Sequence, residues 1–336
     1  MDATTLAALS IAAAAQPEFV TIGDPGNPAF AGNPLDDERQ FLGKGRVDYE
    51  YRIGRTELTW GDWLGFRDAV QASGVAIPNL AGGRYYGNLP FGGDLVVPGS
   101  TFNDLPVAGL NWRSAAAYCN WLHNNKSLEP QAFLFGAYDF AAFGFDQSTD
   151  TYSDQPTRSP GARFWIPSTD EWLKAVHYDP DRHGDGAGGW WTYPNGSDTR
   201  PVTGLPGEGE TNANLFADIG ATAWDIAVGA YPDTQTPWGL LDATGGVSEW
   251  QEDWLFPEDP SDRVVDGSSI DGTRSPDLDD HNFVVDFDRV GRGPAARRPD
   301  SGGRTYGIRI AAAIPTPATI APLTAIALIT ARRRRT

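Results

Sequence analysis

Gly239-Leu240-Leu241-Asp242-Ala243-Thr244-Gly245-Gly246-Val247-Ser248-Glu249-Trp250 sets a glycine pair between two acids and closes on a tryptophan. Adjacent glycines mark a turn, because glycine enters the left-handed backbone region without steric cost. In the plainest reading, Asp242 and Glu249 cap turns around Trp250. Working upstream, Ser168-Thr169-Asp170-Glu171 opens a helix that runs to about Tyr178, a hydroxyl followed by acids suiting an N-cap and first turn. Asn111–His123 predicts another helix, with Ala115, Tyr118, Cys119 and Leu122 on one face. Thr59–Ser73 predicts a third, with Trp63, Phe66 and Val70 at helical spacing for core packing. Val47–Ile53 alternates as a strand does, Pro106–Leu110 predicts a short strand, and Tyr306–Ala312 a closing one. Beyond the helix that ends near Tyr178, few helical or strand patterns persist. The tract after Trp254 is strongly acidic as far as Asp288, and Asp277-Leu278-Asp279-Asp280 within it reads as a solvated loop.

Composition agrees with a loop-rich chain. Among 336 residues there are 39 Gly, 26 Pro and 12 Trp, a mixture of turns and aromatic packing that excludes a helical bundle. The length suffices for a substantial core without disulfides. The formal net charge of -18 argues against a nucleic-acid partner, which needs a basic face, and fits a solvated acidic surface. Cys119 is the sole cysteine, so neither an intrachain disulfide nor a two-cysteine zinc site can form.

Both ends read as processing signals. Leu6–Ala15 is a short apolar run, and Ala13-Ala14-Ala15 resembles a small-residue cleavage site before Gln16, although the basic n-region is missing. Residues 1–16 are therefore a candidate signal peptide, and 17–46 an irregular leading segment. At the other end, Ile314-Pro315-Thr316-Pro317 precedes an apolar run, Ile320–Ala331, and then Arg332–Arg335. That asymmetry is the one that holds a basic end in the cytoplasm. The run is short of the ~20 residues that span a bilayer, and Pro322 interrupts it. Residues 313–336 resemble the PEP-CTERM sorting tail of exported bacterial proteins, with Thr316 in place of its Glu. The resemblance implies a sorting protease as partner and membrane contact through the tail.

Five segments, in order, resemble the formylglycine-generating-enzyme (sulfatase-modifying-factor) family. They are Tyr51–Thr59, Pro106–Leu122, Phe164–Trp172 (FWIPSTDEW), Gly239–Trp250 and Tyr306–Ala311 (YGIRIA). The match runs from about Val47 to Ala312, so residues 47–312 form one domain. The resemblance implies an α+β, C-type-lectin-like fold with little regular secondary structure.

The family's enzymes oxidise a substrate cysteine to formylglycine with oxygen, using two late cysteines that bind copper(I), an ion suited to soft thiolates. Alignment on Ala295-Ala296-Arg297 puts those positions near Arg289 and Pro294, neither of which can ligate copper. Copper is therefore not expected, and Cys119, mid-helix on an apolar face, reads as a buried structural thiol. The family's calcium loops carry over better. The first maps onto Asn214, the Leu215 carbonyl, Asp225 and the Ala227 carbonyl; the second onto Asp242, the Gly245 carbonyl, the Val247 carbonyl and Glu249. Each supplies four oxygens, and calcium takes six to eight, so water completes the shell. Asp179–Gly186 lacks an EF-hand's twelfth-position Glu, with Trp190 there instead, and reads as a surface turn. His123, His177, His183 and His281 show no metal-ligand spacing as a set.

The expectation is an exported surface or envelope protein, non-catalytic and calcium-stabilised, serving as a binding or structural module. The alternative is a divergent oxidoreductase acting on protein cysteine. A carbohydrate or peptide binder using Trp190 and Trp191 is a third reading, and the ligand itself is not legible.

Overall fold

The computed structural model describes residues 18–32, 41–81, 102–271, 288–289, 295–303 and 305–315. The N-terminal apolar run, Pro294, the Asp277–Asp280 acids, His281 and the apolar and basic parts of the C-terminal tail lie outside these residues.

Local chemistry sets the helices where the sequence predicts them. Helix α1, Trp60–Ser73, starts on Thr59, whose side chain accepts from the Asp62 amide, and stops at Gly74 with φ 68°. Its buried residues Trp60, Trp63, Phe66 and Ala69 recur every three positions, and the half-buried Val70 packs against the same core. Phe66 meets Tyr118 at 5.4 Å and Phe133 at 6.0 Å between ring centroids. Helix α2, Trp112–His123, is capped by Asn111 and buried on almost every side, so it is the central helix. The single turn α3, Gln131–Leu134, packs against it.

Helix α4, Thr169–His177, carries a complete capping box: the Ser168 hydroxyl accepts from Glu171 N, and the Glu171 carboxylate from Ser168 N. That carboxylate also takes Trp165 Nε1 at 3.0 Å and the Arg158 guanidinium at 2.9 Å. Arg158 bridges onward to Glu252 at 3.2 Å. The FWIPSTDEW segment thus encodes a helix start and an ion-pair network together. Its last helix, α5, is the turn Phe216–Ile219.

Two four-stranded sheets share the core. One runs β1 (Phe19–Ile22), β2 (Tyr51–Gly54), β12 (Ala311–Ala312) and β5 (Phe164–Trp165). The other runs β10 (Ala295–Arg297), β9 (Asp259–Asp266), β8 (Ser248–Phe256) and β11 (Tyr306–Gly307). Two-stranded ribbons join β3 (Phe145–Asp146) to β4 (Thr151–Tyr152) and β6 (Tyr178–Asp179) to β7 (Gly189–Trp190).

Three sequence expectations change. The closing strand divides: β11 pairs with β8 and β12 with β2, so Ile308–Ile310 crosses from one sheet to the other, carrying Arg309. Pro106–Leu110 is no sheet strand but an extended segment laid on the start of α1, with Val107 N donating to Leu58 O and a bridge at Thr59–Pro106. Finally, the β8–β9 hairpin fills a region expected to lack strands. Its acids obscured it, because Glu249, Glu252 and Asp266 are buried against partners rather than solvated.

Candidate functional site

The glycine turn is held at three successive amides by side chains from three distant segments. Gly245 N donates to Ser268 Oγ (2.7 Å), Gly246 N to Asn212 Oδ1 (2.7 Å) and Val247 N to Glu57 Oε1 (2.6 Å). Both glycines have positive φ, 84° and 57°, and a Cβ on them would lie 2.1 Å from Asn212 Oδ1 and 2.2 Å from Glu57 Oε1. Only glycine fits either position. The Gly246 carbonyl accepts from Ile270 N (2.9 Å), and the Thr244 carbonyl from Thr211 Oγ1 (3.0 Å). Among the described residues the Gly245 and Val247 carbonyls take no loop hydrogen bond.

Of the acids flanking the turn, Glu249 is buried and Asp242 is half-buried. Asp242 adopts φ 55° and accepts Gly229 N on Oδ2 at 2.6 Å. Burial pushes its pKa up to about 6, against the pull of the Gly229 hydrogen bond and of Arg309, with Glu249 adding to the rise. Glu249 accepts Trp172 Nε1 (2.6 Å) and pairs with Arg309 (2.9 Å). Arg309 is fully buried, and its other bonds go to the carbonyls of Gly54, Arg55, Leu241 and Asp242. Glu57 completes the cluster: burial first, then Asp242 and Glu249, hold its carboxyl well above the usual range. One carboxylate thus pairs with the guanidinium, and two more carboxyl groups feel its charge.

The first loop abuts the second. Asn212 bonds the glycine turn, Asn214 N donates to Ser269 O, and Phe216 N donates to Ile270 O. Asn214 is buried at φ 56°, which suits an asparagine in a left-handed position. The Leu215 carbonyl accepts the amides of Asp218 and Ile219. Asp225 is exposed at the end of the turn Gly220–Asp225, and Ala227 is half-buried.

Calcium suits these donors in kind, since Asp242, Glu249 and the Gly245 and Val247 carbonyls are all hard oxygens. No three His, Cys, Asp or Glu side chains that could hold a metal gather among the described residues, so a cation on this loop needs the carbonyls and must share Glu249 with Arg309. Copper has no thiolates to bind. Cys119 is fully buried within the core, and burial raises its thiol well above the ordinary value. Arg289, one of the two positions expected to replace the thiols, is half-buried.

The remaining candidates are structural. His177 is buried, and desolvation lowers it to about 3, a neutral imidazole. Trp190 packs against Phe30 and Tyr178, with centroids at 5.8 and 5.3 Å. Trp191 lies under Arg182 at 4.4 Å and donates Nε1 to Asp179. Both rings are half-buried. Sequence reading missed Glu57, Asn212, Trp172, Ser268 and Arg309. The signal for one of them was an arginine set between two isoleucines, Ile308–Ile310.

Together, the two small sheets, the buried central helix and the pinned glycine turn define an α+β, C-type-lectin-like domain. The chain belongs to the family of the sulfatase-modifying factor enzyme 1-like domain, whose model matches residues 12–314. Among solved structures it is similar to CarF, with 17% identity, 89% of this chain and 99% of that one covered, and TM-score 0.50. It is also similar to Treponema denticola variable protein 1, with 21% identity, 88% and 95% covered, and TM-score 0.52. These likenesses show the fold alone. A search of curated proteins finds no match.

Proposed function

We propose that this chain is an exported, non-catalytic member of its family, a calcium-stabilised binding or structural module. The observation that carries the proposal is that its only thiol, Cys119, is sealed in the core. A thiol held there cannot bind copper(I) or exchange with a substrate cysteine, since both need an accessible thiolate. The enzyme reading, a divergent oxidoreductase acting on protein cysteine, predicts copper-dependent turnover. Our reading predicts none.

Calcium is supported by the pinned turn, which spends its amides on protein oxygens and, among the described residues, shows no loop hydrogen bond on the Gly245 and Val247 carbonyls. A ligand that binds only the folded state stabilises it by about 2.7 kcal/mol at one hundred times its dissociation constant. We expect the Tm to rise by a few degrees in calcium relative to chelator. Glu249→Gln, which removes charge at similar shape, is expected to shrink that rise. Equal wild-type melting in both buffers, with no calcium by elemental analysis, would leave Arg309 as the only counter-charge and remove the ion from the account.

Export rests on the sequence of the two ends. No helix among the described residues is long and apolar enough to cross a membrane, and the tail is not among them. The tail from Ile314 is expected to bring the protein to the membrane during export, where a sorting protease acts on it. Fractionating the native host should separate the full-length chain from one ending at Ala312. Identical cytoplasmic recovery of both would rule out the sorting role. The ligand of the mature module is a surface molecule or peptide of unassigned chemistry.

A further inference from the structure

Asn195-Gly196 is the only asparagine–glycine pair in the chain; every other asparagine is followed by a residue with a side chain. The pair sits in a three-residue hairpin turn. Tyr193 bridges Ser197, with Tyr193 N donating to Ser197 O at 3.0 Å. Pro194 leads the loop, and Gly196 closes it at φ 62°, the left-handed residue such loops favour. A turn of this kind commonly ties down its fourth amide, yet the Gly196 amide finds no acceptor among the described residues. The buried Oδ1 of Asn195 has no donor, so no hydrogen bond on that atom holds the side chain away from its neighbour. A Cβ at Gly196 would meet nothing within 4 Å, which leaves that side of the amide open.

An asparagine side chain is open to attack by the next backbone nitrogen, and glycine resists that attack least because it has no Cβ. Gly196 N would give its proton to a solvent base and bond to Asn195 Cγ. The Cγ–Nδ2 bond breaks, and Nδ2 takes up a proton and leaves as ammonia. Water then opens the five-membered imide at either carbonyl. One opening leaves aspartate in the original chain. The other routes the main chain through Cβ and Cγ, leaving isoaspartate and a backbone longer by one carbon. A longer loop cannot keep the Tyr193–Ser197 bridge in place. Tyr193 buries its ring against Ala213. Ala213 stands between Asn212, which holds Gly246 N, and Asn214 of the first loop, and its own amide lies 3.0 Å from a Cβ built on Gly245. We propose that Asn195-Gly196 is a self-modifying site, whose spontaneous conversion to isoaspartate loosens the brace behind the glycine turn. The inference uses only the packing of that turn, so it stands apart from the calcium reading.

The test ages the purified full chain in chelator at neutral and at mildly alkaline pH, then maps its peptides by mass spectrometry. Isoaspartate is counted by enzymatic methyl transfer. Residue 195 is expected to lose its amide before any other asparagine, faster at the higher pH, and to yield more isoaspartate than aspartate. Aged wild type is expected to melt about 2 °C or more below fresh protein. Asn195→Gln, whose longer side chain disfavours the ring, should keep its Tm through the same ageing. If Asn195→Gln does not fold, Gly196→Ala, whose methyl group enters open space, should slow the conversion. An intact amide at 195 in the native chain, under conditions where the urea-unfolded chain converts, overturns the proposal. So does an unchanged Tm in protein converted to isoaspartate, or an equal loss of Tm in aged Asn195→Gln.

Discussion

Arg309→Met is expected to destabilise the protein by about 3–5 kcal/mol, because it strips the cation from a buried cluster of carboxyl groups. Glu249 loses a 2.9 Å ion pair, and the carbonyls of Gly54, Arg55, Leu241 and Asp242 lose their donor. The residue also stands where the chain passes between the sheets, so the loss falls on both at once. Equilibrium denaturation of wild type and variant measures the difference. Adding Glu249→Gln to Arg309→Met should recover part of it, since the charge left uncompensated is then gone. A cost below about 1 kcal/mol, the range of surface ion pairs, would mean that the cluster is not closed to solvent.

Gly246→Ala is expected to cost about 3 kcal/mol or more. Two effects add: a side chain at φ 57° costs roughly 1–2 kcal/mol, and its Cβ would fall 2.2 Å from Glu57 Oε1. Displacing that oxygen breaks its bond to Val247 N and leaves a buried amide unsatisfied, a penalty of about 1–3 kcal/mol. Gly207→Ala separates the two effects, because Gly207 has φ 85° but nothing within 4 Å of its Cβ. It should show the backbone cost alone. Equal costs for the two variants, by denaturant midpoint, would deny the turn its fixed packing.

These residues also mark what the sequence could and could not disclose. Helices α1 and α2 were legible from apolar residues at helical spacing, and α4 from Ser168, which caps it through a bond within three residues. The β8–β9 hairpin was not, since buried acids look like solvated ones until their partners are known. Glu252, for instance, is held by Arg158 and Tyr138, 94 and 114 residues away. Burial pushes it to about 7, with Glu171 adding to the rise and Arg158 opposing it. The same separation hid the site. Asp242 and Glu249 stand in one motif and could be named. Glu57 lies 190 residues from Val247, and Arg309 lies 60 from Glu249. The absence of a thiol pair, by contrast, is a statement about residue types, and the sequence alone sufficed for it.

The central claim, that the fold persists here without the family's oxidation chemistry, meets its most direct test in a turnover assay. Purified protein would be incubated aerobically with a sulfatase-type cysteine peptide and copper, and the peptide followed by mass spectrometry. We predict no aldehyde above the no-enzyme control, with or without copper. Copper-dependent conversion of the cysteine to formylglycine above that control would contradict the account.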